Sequence, residues 1–138
     1  SLGEFLALAV SIEDVADKTG SDQARIIATA LNEANGRYLE ENRAPSRKVN
    51  EIDNRGSHYF LARYWAEAVA ANVDDGGLAA RFKAPAQALI GDEEKILAEL
   101  LRAQGQPVDI GGYYLPDEEK TAAAMRPSTT LNGIINSI

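Results

Sequence analysis

A chain of 138 residues with 14 Lys and Arg against 21 Asp and Glu carries a net charge of −7, too acidic for a general nucleic-acid binder, because neutralising phosphates needs a basic surface. Its 45% hydrophobic and 25% charged residues fit one globular domain rather than a disordered tail, and charge interrupts every apolar stretch, so no segment can span a bilayer. The absence of cysteine removes disulfides, thiolate catalysis and cysteine zinc sites, and fits a reducing compartment.

The opening Ser1-Leu2-Gly3-Glu4-Phe5 lacks the basic start and small-residue cleavage site of a signal peptide, so a soluble, cytoplasmic protein is expected. Ser1 and Glu4 have capping-box spacing, which predicts a helix from about Leu2. Leu2, Phe5, Leu6, Ala9 and Val10 form one stripe that Leu8, Ile12 and Val15 widen, so this helix should be buried on more than one side. Gly20 ends it and Ser21 caps a second helix, from Asp22 to about Asn42, with Ile27, Ala30, Leu31, Ala34 and Tyr38 on its apolar face and Gly36 as a weak point. The run from Arg43 to Gly56 has no apolar period and contains both Pro45 and Gly56, so it reads as an ordered connection.

Ser57 is the expected cap of a third helix, on which Leu61, Tyr64, Trp65, Ala68 and Val69 share a face that reads as core rather than as a cofactor box. Asp74-Asp75-Gly76-Gly77 reads as a turn. A fourth helix starts near Leu78, bent or split by Pro85 and closed by Gly91. Asp92 caps a fifth, with Ile96, Leu97, Leu100 and Leu101 inward and Gly105 at its end. Gln106 to Pro116 is irregular, with Val108 and Ile110 as extended positions, and two short helices follow over 117–125 and 128–137. The fold class is mainly α.

The long connection gathers Arg43, Arg47, Lys48 and Arg55 in an otherwise acidic chain. Arginine offers a planar fork to phosphate oxygens and lysine a mobile point charge, so a phosphorylated ligand is one reading. Pairing with Glu40, Glu41, Glu51 and Asp53 nearby is the other. His58, the only histidine, has no carboxylate or serine at diagnostic spacing, and a structural hydrogen bond is expected of it. Asp74 with Asp75, and Glu93 with Glu94, sit where they complement helix dipoles. Gly111-Gly112-Tyr113-Tyr114 lacks the spacing of a phosphate loop, and a tight turn with packed tyrosines is expected there.

Longer strings carry a resemblance. Pro45-Ser46-Arg47-Lys48-Val49, Glu51-Ile52-Asp53-Asn54-Arg55-Gly56-Ser57-His58, Tyr64-Trp65-Ala66, Pro107-Val108-Asp109-Ile110-Gly111-Gly112-Tyr113-Tyr114 and Met125-Arg126-Pro127-Ser128 resemble the C-terminal region of monomeric-type NADP-dependent isocitrate dehydrogenases, as does the opening Ser1-Leu2-Gly3-Glu4-Phe5-Leu6-Ala7-Leu8. The resemblance implies that residues 1–138 form a single C-terminal segment of a larger dehydrogenase. This would be the helical C-terminal part of the large domain of an isocitrate/isopropylmalate dehydrogenase-like α/β enzyme.

It further implies oxidation of isocitrate by NADP to 2-oxoglutarate, carbon dioxide and NADPH with Mg2+ or Mn2+. The metal and isocitrate ligands lie upstream in that family, so no catalytic or metal residue is expected here. One cofactor contact carries over, Arg47, as a ligand of the NADP 2′-phosphate, while another family arginine, in an Arg-Trp-Asp string just before the Ser-Leu-Gly-Glu start, falls outside these residues. The implied partners are the remainder of the parent enzyme and isocitrate, with neither nucleic acid nor membrane. The parent is expected to be a monomer and the isolated segment to be inactive and to self-associate. A free-standing helical interaction module is the competing reading.

Overall fold

The computed structural model describes residues 2–138, and among them the secondary structure is entirely helical. The helices are α1 (Leu2–Thr19), α2 (Asp22–Glu40), α3 (Asn54–Ala71), α4 (Gly76–Gly91), α5 (Glu93–Arg102), α6 (Glu118–Met125) and α7 (Thr129–Asn136). Helix α1 packs on α2, α2 on α3 and α3 on α4, while α7 closes against α4 and α5. Tyr59, Phe60, Leu61 and Tyr64 of α3 meet Leu31 and Tyr38 of α2, Leu89 of α4 and Ile96 and Leu100 of α5 in one core. Two polar ends in that core are satisfied across helices. The Tyr59 hydroxyl donates to the Leu89 carbonyl (2.6 Å) and the Trp65 indole N–H to the Ile27 carbonyl (3.0 Å).

The short-range signals place most helix ends. Gly20 takes φ +68° and its N–H reaches the Ala16 carbonyl (2.9 Å), after which the Ser21 hydroxyl accepts from Ala24 N–H (3.2 Å). Asp117 and Ser128 cap α6 and α7 through Lys120 and Leu131 N–H. The Ser1 half of the proposed capping box lies outside the described residues.

Several expectations need correction. Asp53, not Ser57, caps α3. Its carboxylate accepts from Arg55 N–H (2.9 Å) and Gly56 N–H (3.2 Å), so the helix begins at Asn54. An aspartate four residues upstream of the serine is an equally good cap, and its capture of two N–H groups extends the helix backwards. Ser57 is instead fully buried and donates to the Arg43 carbonyl (2.6 Å). Likewise Asp75 caps α4, which starts at Gly76 within the expected turn. Pro85 does not split α4: the helix continues through it, with Pro85, Ala86 and Leu89 all on its buried face. Packing of that face offsets the missing backbone donor. Asp92 caps α5 by position only, without a side-chain hydrogen bond, and α5 stops at Arg102, before Gly105.

The tyrosines after Gly112 are not packed either. Tyr113 and Tyr114 meet each other edge to face (5.3 Å) and are 88% and 96% exposed. The turn itself is tight as expected, since Gly111 has φ +81° and a Cβ there would stand 2.8 Å from Asp117 Cβ. Val108 and Ile110 form no strand with any described residue.

Helix α1 is buried on one side only. Phe5, Ala9 and Ala16 face α2, with Leu2 and Ile12 packed at the margin, while Leu6, Leu8, Val10 and Val15 stay exposed because no further layer covers them. Leu6 and Val10 form one exposed apolar strip beside the buried face, with Leu8 and Val15 on the opposite flank, and such exposed apolar surface favours association. Light scattering on the isolated chain is therefore expected to show a mass that rises with concentration, and Leu6→Glu with Val10→Glu should return it to monomer.

Candidate functional site

The connection between α2 and α3, residues 41–53, is an ordered loop with a rigid stem and a displayed tip. Its first turn ends α2 through Asn42, a non-glycine residue at φ 52°, and Arg43 N–H returns to the Tyr38 carbonyl (3.0 Å). Arg43 then lies over the Phe60 ring (3.9 Å), donates through Nε to the Tyr64 hydroxyl (2.9 Å) and pairs with Glu41 (3.1 Å). Further out, Ser46 N–H donates to the Ile52 carbonyl (2.7 Å), and the Ser46 hydroxyl accepts from Lys48 N–H (3.1 Å). These two bonds close a small loop that carries Arg47, Lys48 and Val49 at its outer edge, all exposed. At the foot of the loop, Gly56 allows the Ile52 side chain to press onto α3: an added Cβ would meet Ile52 Cγ1 at 2.8 Å.

The four cations of this segment therefore divide. Arg43 belongs to the stem. Arg55 is held by Asp53 through Nε (3.0 Å) and Nη2 (2.6 Å) and by the Ala124 carbonyl (2.9 Å), so it ties the start of α3 to the end of α6. Burial opposes the Asp53 charge, but the hydrogen bonds from Arg55, Gln104 and Gly56 N–H outweigh it and hold that carboxyl below its ordinary range. Lys48 stands 3.9 Å from Glu51, a loose exposed pair. Arg47 is exposed and has neither an ion pair nor a hydrogen bond to any described residue. Intramolecular pairing thus accounts for two arginines fully and for Lys48 loosely, and leaves the Arg47 guanidinium open to a ligand.

His58 does not make the expected hydrogen bond with the described residues. Its ring contacts Phe5 edge to face (5.1 Å), at the rim of a cleft of about 410 Å³ that Arg55, Arg126 and Ser128 also line. Sequence reasoning missed Gln104, whose side chain fastens the tip of the loop from the end of α5. No local signal could have found it, because the two contacts join residues 54 and 53 positions apart.

Behind the stem runs a chain of ion pairs from α2 to α5. Arg37 pairs with Glu41 (2.7 Å) and with Glu67, Arg63 pairs with Glu67 (2.8 Å) and with Glu93, and the Tyr64 hydroxyl donates to Glu41. The hydrogen bonds from Arg37, then Tyr64 and Arg43, bring the Glu41 carboxyl from its ordinary 4.5 down to about 2. A folded-state pKa below the unfolded value stabilises the fold above the unfolded pKa, and that contribution is lost as pH falls. The melting temperature is therefore expected to fall as pH drops from about 4.5 towards about 2. In Glu41→Gln, melting curves recorded across that range should show a shallower decline.

Comparison with known proteins places this arrangement in a family. The sequence profile of the monomeric isocitrate dehydrogenases matches residues 1–136, and the chain belongs to that family. It is 54% identical over its whole length to isocitrate dehydrogenase [NADP] 2 of Colwellia maris, of which it covers 19%. It is 48% identical over its whole length to isocitrate dehydrogenase [NADP] 2 of Mycobacterium tuberculosis, of which it covers 18%. With isocitrate dehydrogenase [NADP] of Azotobacter vinelandii it shares 50% identity over 135 residues, 98% of this chain and 18% of that one. The chain thus spans about a fifth of the length of the curated relatives it matches.

Proposed function

We propose that this chain is the C-terminal segment of an NADP-dependent isocitrate dehydrogenase and that Arg47 binds the 2′-phosphate of the cofactor. The observation that carries the reading is the division of the loop cations, which leaves Arg47 exposed and unpaired on a braced tip within the Pro45-Ser46-Arg47-Lys48 string. A guanidinium facing a phosphate makes paired charge-assisted hydrogen bonds that NAD, with a ribose hydroxyl there, cannot offer. The bound cofactor would supply the hydride acceptor, and Arg47 would set which dinucleotide is held.

The family's reaction also calls for Mg2+ or Mn2+, to polarise the substrate oxygen and stabilise the enolate left by decarboxylation. No group of three or more His, Asp or Glu among the described residues is disposed to hold such an ion. The described residues do not fit that role, and the metal and isocitrate ligands are proposed to lie in the remainder of the enzyme. In the same reading the exposed strip of α1 is where that remainder packs. The enzyme is proposed to work in the cytoplasm, a reducing compartment that a sequence without cysteine fits. Among the described residues no helix is long and apolar enough to cross a membrane.

The test is kinetic, in the full-length enzyme that carries this segment. Arg47→Ala should raise the Michaelis constant for NADP roughly ten- to a hundredfold, the loss expected when a charge-assisted contact worth about 1.5–3 kcal/mol is removed. The constant for isocitrate should stay within about twofold. Unchanged NADP kinetics would remove Arg47 from the cofactor site.

A further inference from the structure

A guanidinium on a loop discriminates a phosphate only as well as the loop holds its place. Arg47 is exposed and makes no hydrogen bond or ion pair of its own with a described residue, so its position is set by backbone. The bonds of Ser46 fold the tip on itself but do not attach it to the helices. That attachment comes from Gln104, two residues beyond the end of α5. Its Oε1 accepts from Asn50 N–H (2.8 Å) and its Nε2 donates to the Glu51 carbonyl (2.9 Å), so one side-chain amide holds two successive residues of the loop.

The residue it grips, Asn50, sits at φ 69°, a left-handed conformation that favours glycine and that asparagine adopts more readily than other side chains. The next residue, Gly105 at φ +74°, has no side chain to hold Val49 away: a Cβ there would stand 3.2 Å from Val49 Cγ1. Polar and apolar fastenings therefore converge on the residues directly after Arg47 and Lys48.

We infer that Gln104 is a positioning residue for recognition of the cofactor's 2′-phosphate, acting through the Asn50–Glu51 backbone to fix the Arg47 tip. The inference rests on the reading of Arg47 given above. A residue with this role affects NADP, which has the phosphate, and leaves NAD, which lacks it, alone. A residue that merely stabilises the fold affects both cofactors and the turnover number together.

The experiment measures kcat and KM with NADP, NAD and isocitrate for the full-length enzyme and for Arg47→Ala, Gln104→Leu, Gln104→Glu and the Arg47→Ala/Gln104→Leu double variant. Gln104→Leu should lower the preference for NADP over NAD about tenfold, through the NADP KM, with NAD kinetics and kcat within about twofold. Gln104→Glu keeps the acceptor for Asn50 N–H but loses the donor to Glu51 and sets a second carboxylate beside Asp53, so it too should lower the preference for NADP. The double variant should be no worse with NADP than Arg47→Ala alone, because a tip without its guanidinium has nothing left to position.

If Arg47→Ala impairs NADP use while both Gln104 variants keep the parent preference, Gln104 has no positioning role and the reading of Arg47 stands. If Arg47→Ala has no effect on NADP, that reading fails and the inference fails with it. Should Gln104→Leu not fold, Gln104→Glu decides alone: an unchanged cofactor preference overturns the inference and a weakened one supports it.

Discussion

Purified on its own and supplied with isocitrate, NADP and manganese, the 138-residue chain is expected to show no turnover above background. Six of its carboxylates are committed to structural work: Asp53, Asp75 and Asp117 cap helices, and Glu41, Glu67 and Glu93 neutralise arginines across the bundle. Its single histidine contacts a phenylalanine ring. Oxidative decarboxylation needs a positioned base and a divalent cation, and removing an electrostatic stabiliser of that kind from a site costs several kcal/mol of activation free energy per group. Spectrophotometric NADPH formation by the isolated chain would overturn both this expectation and the proposed division of labour along the enzyme.

The second large effect concerns the core. Leu31 is fully buried in α2, beside Tyr38 and facing the aromatic side chains of α3. Leu31→Ala is expected to lower the stability of the isolated chain by about 2–5 kcal/mol, since the lost transfer free energy is joined by that of the cavity left behind. Small domains are stable by only about 5–15 kcal/mol, so a urea titration should show a much lower midpoint at an unchanged slope. Leu6→Ala on the exposed strip of α1 is the contrast. In the isolated chain it should change stability by no more than about 0.5 kcal/mol, while in the full-length enzyme it should cost more if that strip is covered there.

The parts of this fold that were legible in the sequence are those decided within a few residues. Ser21 caps α2 as expected, and α6 and α7 start beside the expected Asp117 and Ser128, because a side-chain oxygen three residues before an N–H is a local arrangement; the inward positions of α2 and α5 follow from helical spacing. Local rules also gave competing answers. Asp53 and Ser57 are both good caps four residues apart, and the choice fell to Asp53 because Ser57 is needed inside, against the Arg43 carbonyl. The width of the α1 stripe predicted burial on more than one side, whereas the chain buries only the Phe5, Ala9 and Ala16 face, because spacing does not say which surfaces the chain itself covers.

The site divides in the same way. A concentration of cations between α2 and α3 is visible in the sequence, whereas the separation of Arg43 and Arg55 from Arg47 depends on Phe60, Tyr64 and the Ala124 carbonyl, which only the fold brings near. The role of Gln104 was hidden for the same reason: it is an unremarked polar residue after a helix until α5 docks.

Each of the first four helices packs on the one that precedes or follows it in the chain, so most of the core can be assembled by zipping neighbours together, with little loop-closure entropy to overcome before contacts form. The Arg47 tip is the exception, because its fastenings arrive from residues more than fifty positions later. During folding, α2, α3 and α4 can come together while the tip is still free, and the geometry of the tip is set only when α5 closes over it.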